Sequence, residues 1–228
     1  MNIEKTLQSI PFCQHLSAKT RSFLLPYITI KDFKKGEHVF NDRDFTKEIF
    51  LLLQGVTYAY KISLHEEKRI LFIHRLFDIV NIETLDERYA SSNCVCLRDV
   101  QMLCIEKEKF IQALSIDIKF NKAIMDEMSK TIRRLYHQSK NAVNMLKVEK
   151  KLAAKLWKLA KDFGMETTHG TMIPFPLSIT FLAELVGSKR ETISRIMKQF
   201  TILKLINVHK KQIIILDTHK LLEYIQTP

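Results

Sequence analysis

Glycine is scarce in this chain, with five in 228 residues. None of the five completes a G-x-G-x-x-G or G-x-x-x-x-G-K-[ST] pattern, so nucleotide cradles of those kinds are not expected. The H-E-x-x-H helix of zinc peptidases and the G-x-S-x-G elbow of serine hydrolases are missing too. The four cysteines, Cys13, Cys94, Cys96 and Cys104, form no C-x-x-C pair and no zinc spacing. The histidines are scattered. A cupin-type metal enzyme would place a His-x-His pair and a carboxylate on its strands, and His74 stands alone on its own. No metal site and no enzyme activity are expected. No apolar run approaches the ~20 residues of a membrane span. The start, "MNIEKTLQSIPFCQHL", lacks the apolar core of a secretory signal. A cytoplasmic protein with no membrane partner is expected.

What is present is an ordinary globular composition, 46% hydrophobic and 27% charged, in a chain long enough for two modest domains. The net charge of +11 is uneven: residues 141–228 hold 14 Lys/Arg against seven Asp/Glu. A basic C-terminal part points to a polyanionic partner.

Residues 1–25 read as short helical pieces punctuated by Pro11 and Pro26. From 27 to 105 come strand-like runs rich in β-branched and aromatic residues, among them "YITIKDF", "EIFLLLQG", "VTYAYKISL" and "QMLCI". Their spacing predicts a β-sandwich or β-roll. From about Lys107 the period becomes helical. A long helix from Asp117 to Leu146 carries Met125, Met128, Ile132, Leu135, Ser139, Ala142 and Leu146 at alternating steps of three and four, a coiled-coil seam of about three heptads. A second subunit, or the chain's own β-domain, must cover it. A further helix over 148–163 stops at Gly164, and a loop or short hairpin covers 165–176. The expected domains are 1–116, 117–146 and 147–228, in an α+β chain.

The stretch "LSITFLAELVGSKRETISRIMKQF" (177–200) then reads as a helix-turn-helix. Ser178 is the N-cap of a helix that buries Leu182, Leu185 and Val186, with small Ala183 at the close approach and Gly187 at the turn. The second helix buries Ile193, Ile196 and Phe200. Its other face carries Lys189, Arg190, Glu191, Ser194, Arg195 and Lys198, and in this motif the N-terminal half of that helix enters the major groove. Arg195 suits guanine O6 and N7, Glu191 suits a cytosine amine, and Ser194 suits a base edge or a phosphate. Lys189, Arg190 and Lys198, with Ser178 and Thr192, suit backbone or flanking contacts. Two short β-segments around His209–Gln212 read as a wing. The expected partner is double-stranded DNA.

These features resemble the Crp/Fnr family of bacterial transcription regulators over nearly the whole chain. The match is strongest at Leu182-Ala183-Glu184-Leu185-Val186-Gly187 and Arg190-Glu191-Thr192-Ile193-Ser194-Arg195. "KKGEHVFNDRD" and "IFLLLQGVTYAY", with Gly55 in the turn, look like the early strands of the family's roll. The resemblance implies a jelly-roll β-roll of the cyclic-nucleotide-binding type, a long dimerisation helix and a winged helix-turn-helix. It also implies a homodimer on an inverted repeat with TGA-like half-sites, of TTGAT or TGTGA type, and RNA polymerase as a partner if the protein activates.

Cyclic-nucleotide binders carry Gly-Glu and then Arg-Ser/Ala in the phosphate-binding turn. Here "FDIVNIETLDERYASSNCVCL" (77–97) keeps Asp78 and Glu83, has no glycine in the turn, and has Arg88 about two places out of position. Cyclic AMP is therefore not expected, and another small effector stays open. Oxygen-sensing members hold an iron–sulfur cluster on four cysteines, three near the N-terminus, where this chain has Cys13 alone. Cys13 and Cys104 resemble the two cysteines of the Fnr-like proteins of Gram-positive, lactic-acid-type bacteria, the members this chain looks nearest to, for which a reversible disulfide is implied. The cofactor is left open. The alternatives are a sensor or adaptor that does not bind DNA, and a cupin-like enzyme.

Overall fold

The computed structural model of the chain describes residues 3–143 and 147–226, without the side chains of 138–143. It forms two compact units, one of Met1–Lys61 with Leu71–His137 and one of Ile62–Ile70 with Gln138–Pro228. No described helix is long and apolar enough to cross a membrane.

Helices α1 (Ile3–Ser9) and α2 (Ala18–Leu24), each followed by a 3-10 turn, lead into the strands. These are β1 (Ile28–Phe33), β2 (His38–Phe40), β3 (Glu48–Gln54), β4 (Thr57–Ile62), β5 (Lys68–Ile73), β6 (Asn93–Cys96) and β7 (Val100–Glu106). They build two sheets, ordered β1-β7-β3 and β2-β6-β4-β5. The first sheet is packed on both faces. Leu103 and Ile105 of β7 join a core with Leu7, Ile10, Phe110 and Phe120, while Met102 and Cys104 join Phe40, Phe50, Cys94 and Cys96. β3 alternates in the same way, Ile49 and Leu51 against Phe50 and Leu52. A strand buried on both faces has no polar side, which is why "IFLLL" and "MLCI" read as unbroken apolar runs. Gly55 turns β3 into β4 at φ 91°, and a Cβ there would lie 2.3 Å from the Asp99 carbonyl oxygen, so only glycine fits.

Then come α3 (Lys107–Ile116) and α4 (Ile118–Val143). Asp117 starts α4 rather than lying inside it. One carboxylate oxygen accepts the Phe120 N–H at 3.2 Å and the other the Ser17 N–H at 2.9 Å. Burial pulls this carboxyl's pKa upward, but the hydrogen bonds from Ser17, Thr20 and Phe120 prevail and hold it at about 2. α4 buries Phe120, Ala123 and Ile124 in the helix-side core.

In the second unit α5 (Val148–Phe163) ends at Gly164, in extended rather than left-handed backbone (φ −62°, ψ 147°). The segment expected as a loop or hairpin forms β8 (Met165–Thr167) and β9 (Gly170–Met172). After α6 (Ile179–Val186) and α7 (Arg190–Ile202), β10 (Ile206–His209) and β11 (Gln212–Ile215) join them in one sheet, β10-β11-β9-β8. α8 (Thr218–Gln226) closes the unit, with Tyr224 edge-on to buried Phe200 at 5.4 Å.

Candidate nucleic-acid interface

The Ser178 hydroxyl accepts the Phe181 N–H at 3.0 Å and so caps α6. Its own O–H remains available as a donor, so capping and a phosphate contact are compatible. α6 buries Phe181, Leu182, Ala183 and Leu185. Val186, expected in the core, is only half-buried, because the helix ends there. Gly187 takes the left-handed backbone (φ 77°), and the amides of Gly187 and Ser188 both donate to the Ala183 carbonyl, at 2.8 and 3.0 Å. The chain is thereby turned within three residues into α7.

Ile193, Ile196, Met197 and Phe200 bury one side of α7. On the other side Lys189, Arg190, Glu191, Arg195 and Lys198 are exposed, and Thr192 and Ser194 are half-buried. Among the described residues, no side chain pairs with Arg190, Glu191, Arg195 or Lys198. Glu191 and Arg195 are one turn apart and point the same way, an acceptor beside a planar donor fork. Such a face is free to meet base edges, flanked by cations for phosphate.

The wing adds candidate contacts to those of α7. The turn between β10 and β11 is made by Lys210 and Lys211, both in left-handed backbone (φ 47° and 66°) and both exposed. It is braced from behind, where the Leu177 N–H donates to the Lys211 carbonyl at 2.9 Å. The signal in the sequence was "HKKQ" between two apolar runs, a turn spelled with charge where asparagine and glycine are usual.

In the first unit α4 leaves Met125, Met128, Ile132 and Leu135 exposed, at 57%, 38%, 48% and 46%. Of the other seam residues, the side chains of Ser139 and Ala142, and Leu146 as a whole, lie outside the described residues.

All four cysteines are buried free thiols. Cys13 lies in the helix-side core with Leu103 and Ile105 and Cys104 in the roll core with Met102, so the expected redox pair is split between the two cores that the β1-β7-β3 sheet separates. Sequence could not fix this, because which face of β7 Cys104 occupies depends on register parity. Burial pushes both thiols up to about 12, far from a reactive thiolate. An iron–sulfur cluster does not fit either. Cys94, Cys96 and Cys104 are packed by Phe40, Phe50 and Val80, and among the described residues no three His, Cys, Asp or Glu side chains converge as metal ligands.

A cyclic phosphate does not fit the 77–97 turn. Arg88 stands 85% exposed, 3.6 Å from Asp86. Asp78 accepts from Arg134 at 2.8 Å. At the turn itself is fully buried Asn81, whose amide accepts the Phe50 N–H at 3.0 Å and donates to the Glu48 carbonyl at 2.8 Å.

Comparison with known proteins agrees with this architecture. Residues 150–224 match the Crp-like helix-turn-helix domain, and residues 30–117 match the cyclic nucleotide-binding domain. The chain is 26% identical to electron transport regulator A of Shewanella oneidensis, over 84% of this chain and 76% of that one. It is 25% identical to the fumarate and nitrate reduction regulatory protein of Vibrio cholerae, over 85% and 77%. The solved structure of FixK2 from Bradyrhizobium japonicum superposes with a TM-score of 0.75 at 15% identity, covering 86% of this chain and 96% of that one. Both sequence relatives bear the names of regulators. They lend no support to a special nearness to the lactic-acid-bacterial proteins.

Proposed function

We propose, from the premise that this chain belongs to the Crp/Fnr family of DNA-binding transcription regulators, that it works in the cytoplasm as a homodimer on an inverted repeat with TGA-like half-sites. The observation that supports this reading is the polar face of α7, where Glu191 and Arg195 are exposed, Ser194 is half-buried and, among the described residues, no side chain pairs with Glu191 or Arg195; on this reading the three contact base edges. Lys189, Arg190, Thr192 and Lys198 serve the backbone. The exposed stripe of Met125, Met128, Ile132 and Leu135 supports the second subunit, since an apolar seam of coiled-coil spacing is left uncovered in the single chain. Two α7 helices related by a two-fold axis would then read half-sites one helical turn apart. RNA polymerase is the further partner if the protein activates.

The signal is a small effector of the roll rather than thiol chemistry, because the cysteines are buried, separated and of high pKa. Selection of bound duplexes from a random pool, run with and without a thiol reductant, tests both parts. The same TGA-containing repeat should emerge in both conditions. Recovery in only one redox state would return the signal to the cysteines, and enrichment of no inverted repeat in either state would mean that a required effector is missing or that the reading of α7 is wrong.

A further inference from the structure

The long helix α4 is held to the roll in two places. Its first turns are sunk into the core through Phe120, Ala123 and Ile124. From 125 to 137 none of its residues is buried. In that stretch Arg134 stands out, with a side chain only 17% exposed. Its guanidinium donates to Asp78 at 2.8 Å and to the Ile73 carbonyl at 3.4 Å, and its central carbon stands over the Phe72 ring, 4.0 Å from the ring centre. Ten residues beyond Ile124 is about 15 Å along the helix. Arg134 thus fixes α4 to the roll well past its hydrophobic anchor.

The other end of this contact is rigid. Asp78 also accepts the Arg75 N–H at 2.9 Å, and its carbonyl accepts the Leu52 N–H of β3 at 3.1 Å. Phe77, beside it, is held in left-handed backbone (φ 66°) with its N–H on the Leu52 carbonyl at 2.7 Å. Leu52 in turn packs in the roll core with Cys104 and Met102. A half-buried ion pair that also stacks on an aromatic ring adds little to stability once desolvation is counted, but it admits few geometries.

We infer that Arg134 is a positioning residue for DNA binding: by clamping α4 to Asp78 and Phe72 it sets where the seam residue Leu135 faces, and so the half-site spacing that the dimer accepts. A change in the roll that moves Leu52 or the 75–78 turn would reach the seam through this contact. The inference rests on the homodimeric DNA reading given above.

The test uses the full-length protein and the variants Arg134→Gln and Asp78→Asn, alone and together. Duplexes carrying the selected repeat, with the spacer varied by single base pairs, are titrated by fluorescence anisotropy. Arg134→Gln should bind the wild-type spacing about tenfold more weakly and flatten the preference among spacers, while a single half-site is bound as before. The double variant should be no worse than either single one, and Arg134→Lys, which keeps the charge but not the stacking plane, should fall between. Unchanged spacer preference, or equal loss on half-site and full site, would sink the inference. Hydrogen exchange on the DNA-free protein decides it separately from the DNA reading. Amides of 73–78 and 125–137 should exchange faster together in Arg134→Gln, with those of β7 unchanged. No change in either segment would also overturn it.

Discussion

Arg195 and Glu191 are one helical turn apart on an exposed face, and among the described residues no side chain pairs with either. Arg195→Ala should weaken binding to the selected repeat by about 1–3 kcal/mol and relax the preference at one base pair per half-site, measured by titrating single-base variants of the duplex. Equal loss on every sequence would place Arg195 on phosphate instead. His74 makes a different single-residue prediction. It is fully buried, with Nδ1 3.0 Å from the Thr57 hydroxyl and the ring 5.3 Å from Phe72. Burial is the main force lowering its pKa from 6.5 to about 4. Arg134 adds to that, while Asp78 and the Thr57 backbone oppose it. The unfolded chain therefore takes up a proton that the folded chain refuses. This part of the stability is intact above pH 6.5 and is lost as pH falls towards 4, by an amount on the order of 3 kcal/mol. Urea titrations across that window, on wild type and His74→Gln, should show the slope in the first and its loss in the second.

At the scale of elements, much was legible because burial leaves a pattern. β3 and β7 announced themselves as continuous apolar runs, since both of their faces are covered. α6 and α7 were legible from Ser178, Gly187 and the stripe of Ile193, Ile196 and Phe200. What stayed hidden depends on where distant segments meet. Arg134 and Asp78 are 56 residues apart, and neither carries a local sign of the other. Cys13 and Cys104 seemed a pair only while the face of β7 was unknown. Phe77 and the wing lysines occupy left-handed backbone that their residue types do not advertise. The wing yields an element-scale prediction. Replacing Lys210-Lys211 by Asn-Gly should raise stability by about 1 kcal/mol, since those residues suit the turn. It should also reduce the salt dependence of DNA binding if the tip touches phosphate. Thermal melts and titrations at several salt concentrations check both. A gain in stability with no change in salt slope would leave the wing off the DNA.

For the molecule as a whole, the proposed homodimer makes the seam on α4 decide whether two half-sites can be read at once. Leu135→Asp should give a monomer in sedimentation at concentrations where the wild type is a dimer, because burying a carboxylate at a coiled-coil core position costs several kcal/mol. Its affinity for the full repeat should fall to that for one half-site, as the second contact is no longer intramolecular. A variant that stays dimeric would mean that another surface joins the subunits. The stability of the second unit should be unaffected, since its core of Leu152, Leu156, Phe175, Leu182 and Phe200 is built from its own residues.

The four thiols, at positions 13, 94, 96 and 104, all belong to the first unit, and residues 138–228 contain none. An alkylating reagent such as a maleimide therefore finds nothing to react with until the roll or its helical layer opens, whatever the recognition helix is doing. Labelling rate becomes a stopwatch for one half of the protein alone. Mass spectrometry of the timed products would tell openings that release Cys13 on the helical side from those that release the other three from the roll core.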